Sequence, residues 1–189
     1  MNRMAAIFLL ALFICPAANA LEVAGVSIPG EVRLNPGGER LQLNGAGIRK
    51  KFFFSIYVAA LYLPRPTRDA QQIITMTVPK RVVMYVLYGE VSKERFVEGW
   101  NAGFSANLSE IALQQLRPRL DRFNDLFETL HKGDRVELDY LPGQGTRVTI
   151  KGEVRGIIPG EDFNQALLRI WLGDEPVTRS LKSALLGAG

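Results

Sequence analysis

The sequence predicts an α+β fold in which a large antiparallel sheet carries a layer of helices on one face. Two observations predict it. Strand signals fill the chain as far as Leu87, helical signals run from Ser92 to Leu130, strands return from Arg135, and two helices close the chain. Strands and helices arranged in blocks, without strict alternation, favour an antiparallel sheet with its helices segregated to one side. The second observation is a strand from Phe52 to Leu63 that is apolar on both faces and so must be covered on both.

Taken in order, Leu21–Ile28 reads as a first strand closed by Pro29-Gly30. Val32–Leu34 and Leu41–Asn44 flank the turn Asn35-Pro36-Gly37-Gly38 and read as a hairpin. The long strand 52–63 follows and is stopped by Pro64 and Pro66. Ile73–Val78 and Val82–Leu87 are rich in β-branched residues and read as two further strands. From Ser92, a good N-cap, a helix is expected to about Leu116, with Phe96, Trp100, Phe104, Leu108 and Ile111 at steps of three and four. Pro118 suits the first position of a second helix, which carries Leu120, Phe123, Leu126, Phe127 and Leu130 on one face and ends at Lys132-Gly133. His131 then sits beside the last exposed carbonyls of that helix, where a cation is favoured. Arg135–Leu141 and Thr146–Lys151 form a hairpin across Pro142-Gly143-Gln144-Gly145, and Val154–Ile158 adds a short strand. Helices over Glu161–Leu172 and about Thr178–Leu186 complete the chain.

Residues 1–20 read as a cleaved signal peptide and residues 21–189 as one domain. Arg3 supplies a positive start, Ala5–Ile14 an apolar run, and Ala18-Asn19-Ala20 a cleavage pattern. The run is far shorter than the roughly 20 residues that span a bilayer. Ile14, just before Cys15, is too large for a lipid-modified cysteine. The chain is therefore expected to be exported to the periplasm, cut after Ala20. Without the leader no cysteine remains, and His131 is the one histidine. That leaves no Cys–His nucleophile pair and no histidine-rich metal site, so neither a metal nor a cofactor is expected. A domain of this length buries roughly 70% of its unfolded surface and needs no disulfide staples. The net charge of +4 is spread along the chain, without a basic stripe of interleaved aromatics. Nucleic acid is excluded on that pattern, while weak peripheral attraction to an anionic membrane surface is allowed.

The most informative stretch is G-A-G-I-R-K-K-F-F-F-S-I-Y-V-A-A-L-Y-L-P, Gly45–Pro64. In a strand with period two, Phe52, Phe54, Ile56, Val58, Ala60 and Tyr62 share a face that is expected to be fully covered. The opposite face carries Ser55 and Tyr57 among apolar residues. It reads either as the wall of a small-molecule cleft or as plain core with the Tyr57 hydroxyl satisfied. Arg49 stands beside it.

This stretch resembles the opening of the chalcone isomerase superfamily, where a Gly-x-Gly-x-Arg turn leads into a strand ending in Tyr-Leu. Leu172-Gly173-Asp174-Glu175-Pro176-Val177-Thr178-Arg179-Ser180-Leu181-Lys182 resembles the last helix of the same family, with its Val-Ser/Thr-x-x-Leu-Lys pattern. The chain looks most like the exported bacterial members. The resemblance implies an open-faced β-sandwich with a ligand cleft between sheet and helices, and it nominates three ligand-binding residues. Arg49 matches the arginine that faces the ligand's anionic oxygen. Tyr57 falls where the plant enzymes carry threonine and the plastid fatty-acid-binding members carry tyrosine. Thr178 matches the hydroxyl residue opening the last helix. The enzymes also carry a tyrosine and, seven residues on, an asparagine along the cleft-lining helix. An ungapped reading puts Lys93 and Trp100 at those places here, while a shifted one would use Tyr85 or Tyr88 just upstream and Asn101 beside Trp100.

An arginine and a hydroxyl beside an apolar groove suit a carboxylate with an apolar tail, so the leading expectation is a non-catalytic binder of a fatty acid or similar acid. Two alternatives stand beside it. One is an intramolecular lyase of chalcone isomerase type acting on an enone, with Arg49 stabilising the developing oxyanion. The other is a structural envelope protein with a collapsed cleft and Arg49 paired to Glu90, Glu94 or Glu98. Trp171 is expected to be packing, and Lys50-Lys51 a solvated edge.

Overall fold

A computed structural model describes residues 20–34 and 38–187. The expected leader, apart from Ala20, and most of the Asn35–Gly38 turn lie outside the described residues. The chain opens with β1 (Ala20–Val23) and β2 (Val26–Pro29), which pair with each other as a separate hairpin. The single strand expected over 21–28 is broken at Ala24-Gly25, both at positive φ, the backbone that a two-residue hairpin turn demands. Next come β3 (Glu31–Arg33), β4 (Arg40–Lys51) and β5 (Phe54–Leu63). Gly45–Arg49, read as a turn, lies within β4, and the reversal falls instead at Phe52-Phe53.

Ile73–Val78 is not a strand. Helix α1 (Ala70–Thr75) takes its place, started by Asp69, whose side chain accepts from the Gln72 N–H. Capping and the burial of Ile73 and Ile74 override the β-branched preference. Strand β6 (Lys80–Val86) and the two-residue β7 (Glu90–Val91) lead to α2 (Lys93–Asn107), capped by Ser92 as expected. The next helix, α3 (Glu110–Asp125), begins eight residues before Pro118, because Ser109 caps it through the Ala112 N–H. Pro118 sits inside α3. His131 is not at a helix end. It belongs to β8 (Leu130–His131), which pairs with β7 and brings its Nε2 to 3.3 Å from Glu90. The remaining elements are β9 (Arg135–Leu141), β10 (Gly145–Ile150), β11 (Glu153–Ile158), α4 (Glu161–Leu172) and α5 (Arg179–Leu185), close to expectation.

Among the described residues seven strands form the main sheet, in the order β11-β10-β9-β6-β5-β4-β3 with every pair antiparallel. On one face Tyr57, Ala59, Leu61 and Leu63 pack under the helices with Phe104, Phe123 and Trp171. On the other, Val58, Ala60 and Tyr62 meet Ile28 of β2, and the Tyr62 hydroxyl donates to the Pro29 carbonyl at 3.0 Å. The face expected to be fully covered is so only from Val58 onward. Ile56 packs against the helix-side core, and Phe52 and Phe54 are exposed at the hairpin tip. Buried Asp139 lies at one level across the sheet between Arg81 and Arg147 and accepts from both guanidiniums.

Helix α5 lies directly on β4. A Cβ at Gly45 would fall 2.1 Å from the Ala184 carbonyl oxygen, and one at Gly47 would fall 2.6 Å from the Ala184 Cβ. Only glycine permits that approach. Asn44 fastens the far end of α5, its Nδ2 donating to the Leu185 carbonyl at 2.7 Å. The next alternate residue along β4 after these glycines is Arg49, the first with a side chain long enough to reach past the helix.

Candidate functional site

A cavity of about 740 Å³ opens between the sheet and α2. Arg49, Ile56, Tyr57 and Met84 form its sheet side, and Phe96, Gly99, Trp100 and Gly103 its helix side. The volume is that of a small-molecule site, commonly a few hundred to about 1,000 Å³. On α2 a Cβ at Gly99 would meet only open space, while Gly103 lets Ile170 of α4 pack closely against the helix. Glu175, Pro176 and Val177 also line the cavity.

Arg49 and Tyr57 are register partners on β4 and β5, and the guanidinium carbon lies 5.6 Å from the tyrosine ring centroid. A cation over an aromatic face in this way is held without being neutralised. Arg49 is half-buried, its Nε is sealed from solvent, and that nitrogen has no hydrogen-bond partner among the described residues. No acid of the described residues forms an ion pair with it; Glu90, one expected partner, lines the same cavity but lies 3.3 Å from the His131 Nε2. The cation that sequence reasoning singled out is therefore aimed at a cleft with its donors unused.

Tyr57 is 4% exposed. Burial raises its pKa above the ordinary tyrosine value, against the opposing influences of Arg49 and of a hydrogen bond from Trp171. The Trp171 indole N–H donates to the Tyr57 oxygen at 3.0 Å. Because the oxygen accepts that bond, the phenolic proton is left for a second acceptor. Trp171, expected to be packing, therefore also orients the hydroxyl. Its partner is 114 residues away, so nothing in the local sequence signals the contact.

Trp171 in turn meets Trp100 edge-on at 5.8 Å between ring centroids. Trp100 is 4% exposed, lines the cavity, and leaves its own indole N–H without a partner among the described residues. It forms wall at the position where the resemblance places an asparagine. Thr178 caps α5 by position but makes no side-chain capping bond, and its hydroxyl is sealed from solvent without a partner among the described residues. It adjoins the lining residue Val177 but is not itself in the cavity wall, and neither is Ser55. The structure thus joins Arg49 with Tyr57 and leaves Thr178 behind them.

The family model for chalcone isomerase-like proteins matches residues 20–187. The chain belongs to the chalcone isomerase-like family. No curated protein matches it. Among solved structures, an Arabidopsis thaliana fatty-acid binding protein is similar over 89% of this chain and 96% of its own, with a TM-score of 0.70 at 15% identity. That likeness shows the chalcone isomerase-like fold, with its curled antiparallel sheet and helical layer.

Proposed function

We propose that this family member is a non-catalytic binder of a fatty acid or similar apolar carboxylate. One observation carries the proposal: the Arg49 guanidinium, without an ion-pair partner among the described residues and with Tyr57 beside it, faces a cavity of about 740 Å³ whose walls combine apolar side chains with Lys51, Glu90, Arg95, Glu98 and Glu175. Arginine grips a carboxylate through two parallel hydrogen bonds, and the tyrosine proton adds a third donor. Phe96, Met84 and Ile56 give the tail an apolar path. The likeness to a fatty-acid binding protein supports the reading. On an ungapped reading Lys93 and Trp100 stand where the enzymes carry their tyrosine and asparagine, which disfavours catalysis. The structural reading wanted an acid on Arg49 and a closed cleft, and neither is present among the described residues. The leader pattern at residues 1–20 supports action outside the cytoplasm, and the family match begins at residue 20.

Native mass spectrometry of the purified protein, with solvent extraction of anything bound, tests the proposal. An acidic lipid that copurifies with the protein and is lost in Arg49→Ala is the expected result. An unliganded mass in both, with no gain on adding long-chain fatty acid, overturns it.

A further inference from the structure

The β4–β5 hairpin ends in three consecutive phenylalanines that stand largely in water. Phe52 is 84% exposed, Phe53 97% and Phe54 55%. Among the described residues Phe54 alone of the three has a ring neighbour, Tyr88, edge-on at 5.5 Å. Turn chemistry does not ask for them. Phe52 holds φ at 54°, the left-handed region that a two-residue hairpin normally fills with glycine or asparagine. A bulky side chain is thus kept in strained backbone while its ring stands in water, and both features oppose folding.

The charges around the tip point to its occupant. Lys50 and Lys51 precede it and are exposed. Arg49 stands just before them and neither β4 nor β5 carries an acid; Glu90 of β7, Glu98 of α2 and Glu175 are the acids that share the cavity lining with the tip. Aromatic rings that project beyond a pair of lysines match the interface of an anionic bilayer, with rings at the acyl boundary and ammonium groups at the phosphates. The tip also adjoins the cavity, since Lys51, Phe52 and Phe54 line its mouth. The geometry points to the Phe52–Phe54 tip as a docking wedge for an anionic phospholipid bilayer, seated so that the cavity opens at the membrane surface. Docking itself does not require the cavity to be filled, so it stands or falls separately from carboxylate binding.

The test uses residues outside the cavity wall. In the full chain, Phe53→Trp places a reporter at the tip, and Val154→Trp places one at an exposed position on the opposite edge strand, β11. Vesicles of phosphatidylglycerol and phosphatidylethanolamine carrying brominated acyl chains should shift the Phe53→Trp emission to the blue and quench it, leaving the Val154→Trp reporter unaffected. Phosphatidylcholine vesicles or high salt should weaken the effect. Phe53→Ser should lower vesicle partitioning about tenfold, the worth of removing one interfacial phenylalanine. Any affinity contributed by residues 1–19 is common to both proteins. Long-chain fatty acid binding measured without vesicles should survive Phe53→Ser. An unquenched tip reporter, equal quenching of both reporters, or unchanged partitioning of Phe53→Ser overturns the inference. So does a concentration-dependent dimer in sedimentation that Phe53→Ser abolishes while vesicles go unbound, since the tip would then meet a second copy of this chain.

Discussion

Replacing Arg49 with methionine isolates the proposed contact, because it keeps an unbranched side chain and removes only the charge and donors. A carboxylate on the guanidinium makes two charge-assisted hydrogen bonds, each worth about 1.5–3 kcal/mol when intact. Arg49 is half-buried and water competes for part of that energy, so the pair together is expected to contribute about 3 kcal/mol. The dissociation constant for a long-chain fatty acid should then rise by more than about a hundredfold. Stability should scarcely move. The substitution strands no acid among the described residues, and the lost stacking on Tyr57, about 0.5–1 kcal/mol, is offset by removing an unsatisfied buried nitrogen. The melting temperature should therefore stay within about 4 °C. Calorimetric titration with the free acid and with its methyl ester provides the assay. The ester lacks the anion and should bind both proteins alike. Equal losses for acid and ester, or a loss below about threefold for the acid, would refute the assignment of Arg49 to the carboxylate.

Trp171→Phe keeps the ring packing but removes the bond to Tyr57, leaving a buried hydroxyl without its donor. It should cost about 1–3 kcal/mol in urea unfolding and weaken fatty-acid binding less than Arg49→Met does. Gly47→Ala brings a methyl against the Ala184 Cβ and pushes α5 off β4, which thermal melts should record as a loss of about 1–3 kcal/mol. Asp139→Asn removes the anion between the Arg81 and Arg147 guanidiniums and should cost about 3–5 kcal/mol in the same assay, with no selective effect on ligand. Burial lowers the Lys80 pKa to about 8, even as its ammonium donates to the Ile73 and Met76 carbonyls. Between that value and its ordinary 10.5 the unfolded chain binds the extra proton, so stability rises with pH. Measured against Lys80→Met, the wild type should gain up to about 1.4 kcal/mol per pH unit across that window, and a flat difference would contradict the shift.

What was legible in the sequence followed from local pattern. The Phe96–Trp100–Phe104 stripe, the Ser92 cap and the turn before β10 needed no distant partner to define them, and all three stand as expected. What was not legible depended on residues far along the chain. Gly45 and Gly47 look like turn residues until α5, about 140 positions later, is seen resting on them. Ile73–Val78 looks like a strand until Asp69 caps a helix whose two isoleucines are buried. Proline at a first helical position was a sound prior for Pro118, yet the Ser109 cap and the buried face of Leu116, Leu120 and Phe123 outweighed the proline. In the site, Arg49 and Tyr57 could be nominated from the motif, and their pairing follows from the β4–β5 register. The indole that sets the Tyr57 hydroxyl could not, since it arrives from α4.

The Gly-x-Gly-x-Arg spacing gains a physical reason from this arrangement. Two glycines on one face of β4 let α5 settle against the sheet and close the core behind the cleft. The next position on that face is the first at which a side chain can extend, and there the chain places a cation without an acid among the described residues to neutralise it. A fold that needed only stability would fill such a place with an apolar residue, because a charge half-removed from water without a partner is costly. Tyr57 softens that cost through its ring face, yet neither it nor Trp171 carries a negative charge to balance the guanidinium. The cost is withdrawn only when an anion enters. On that argument Arg49, Tyr57 and Trp171 form one unit whose electrostatics are completed by a ligand carboxylate, and the glycines are what hold the arginine at the cleft.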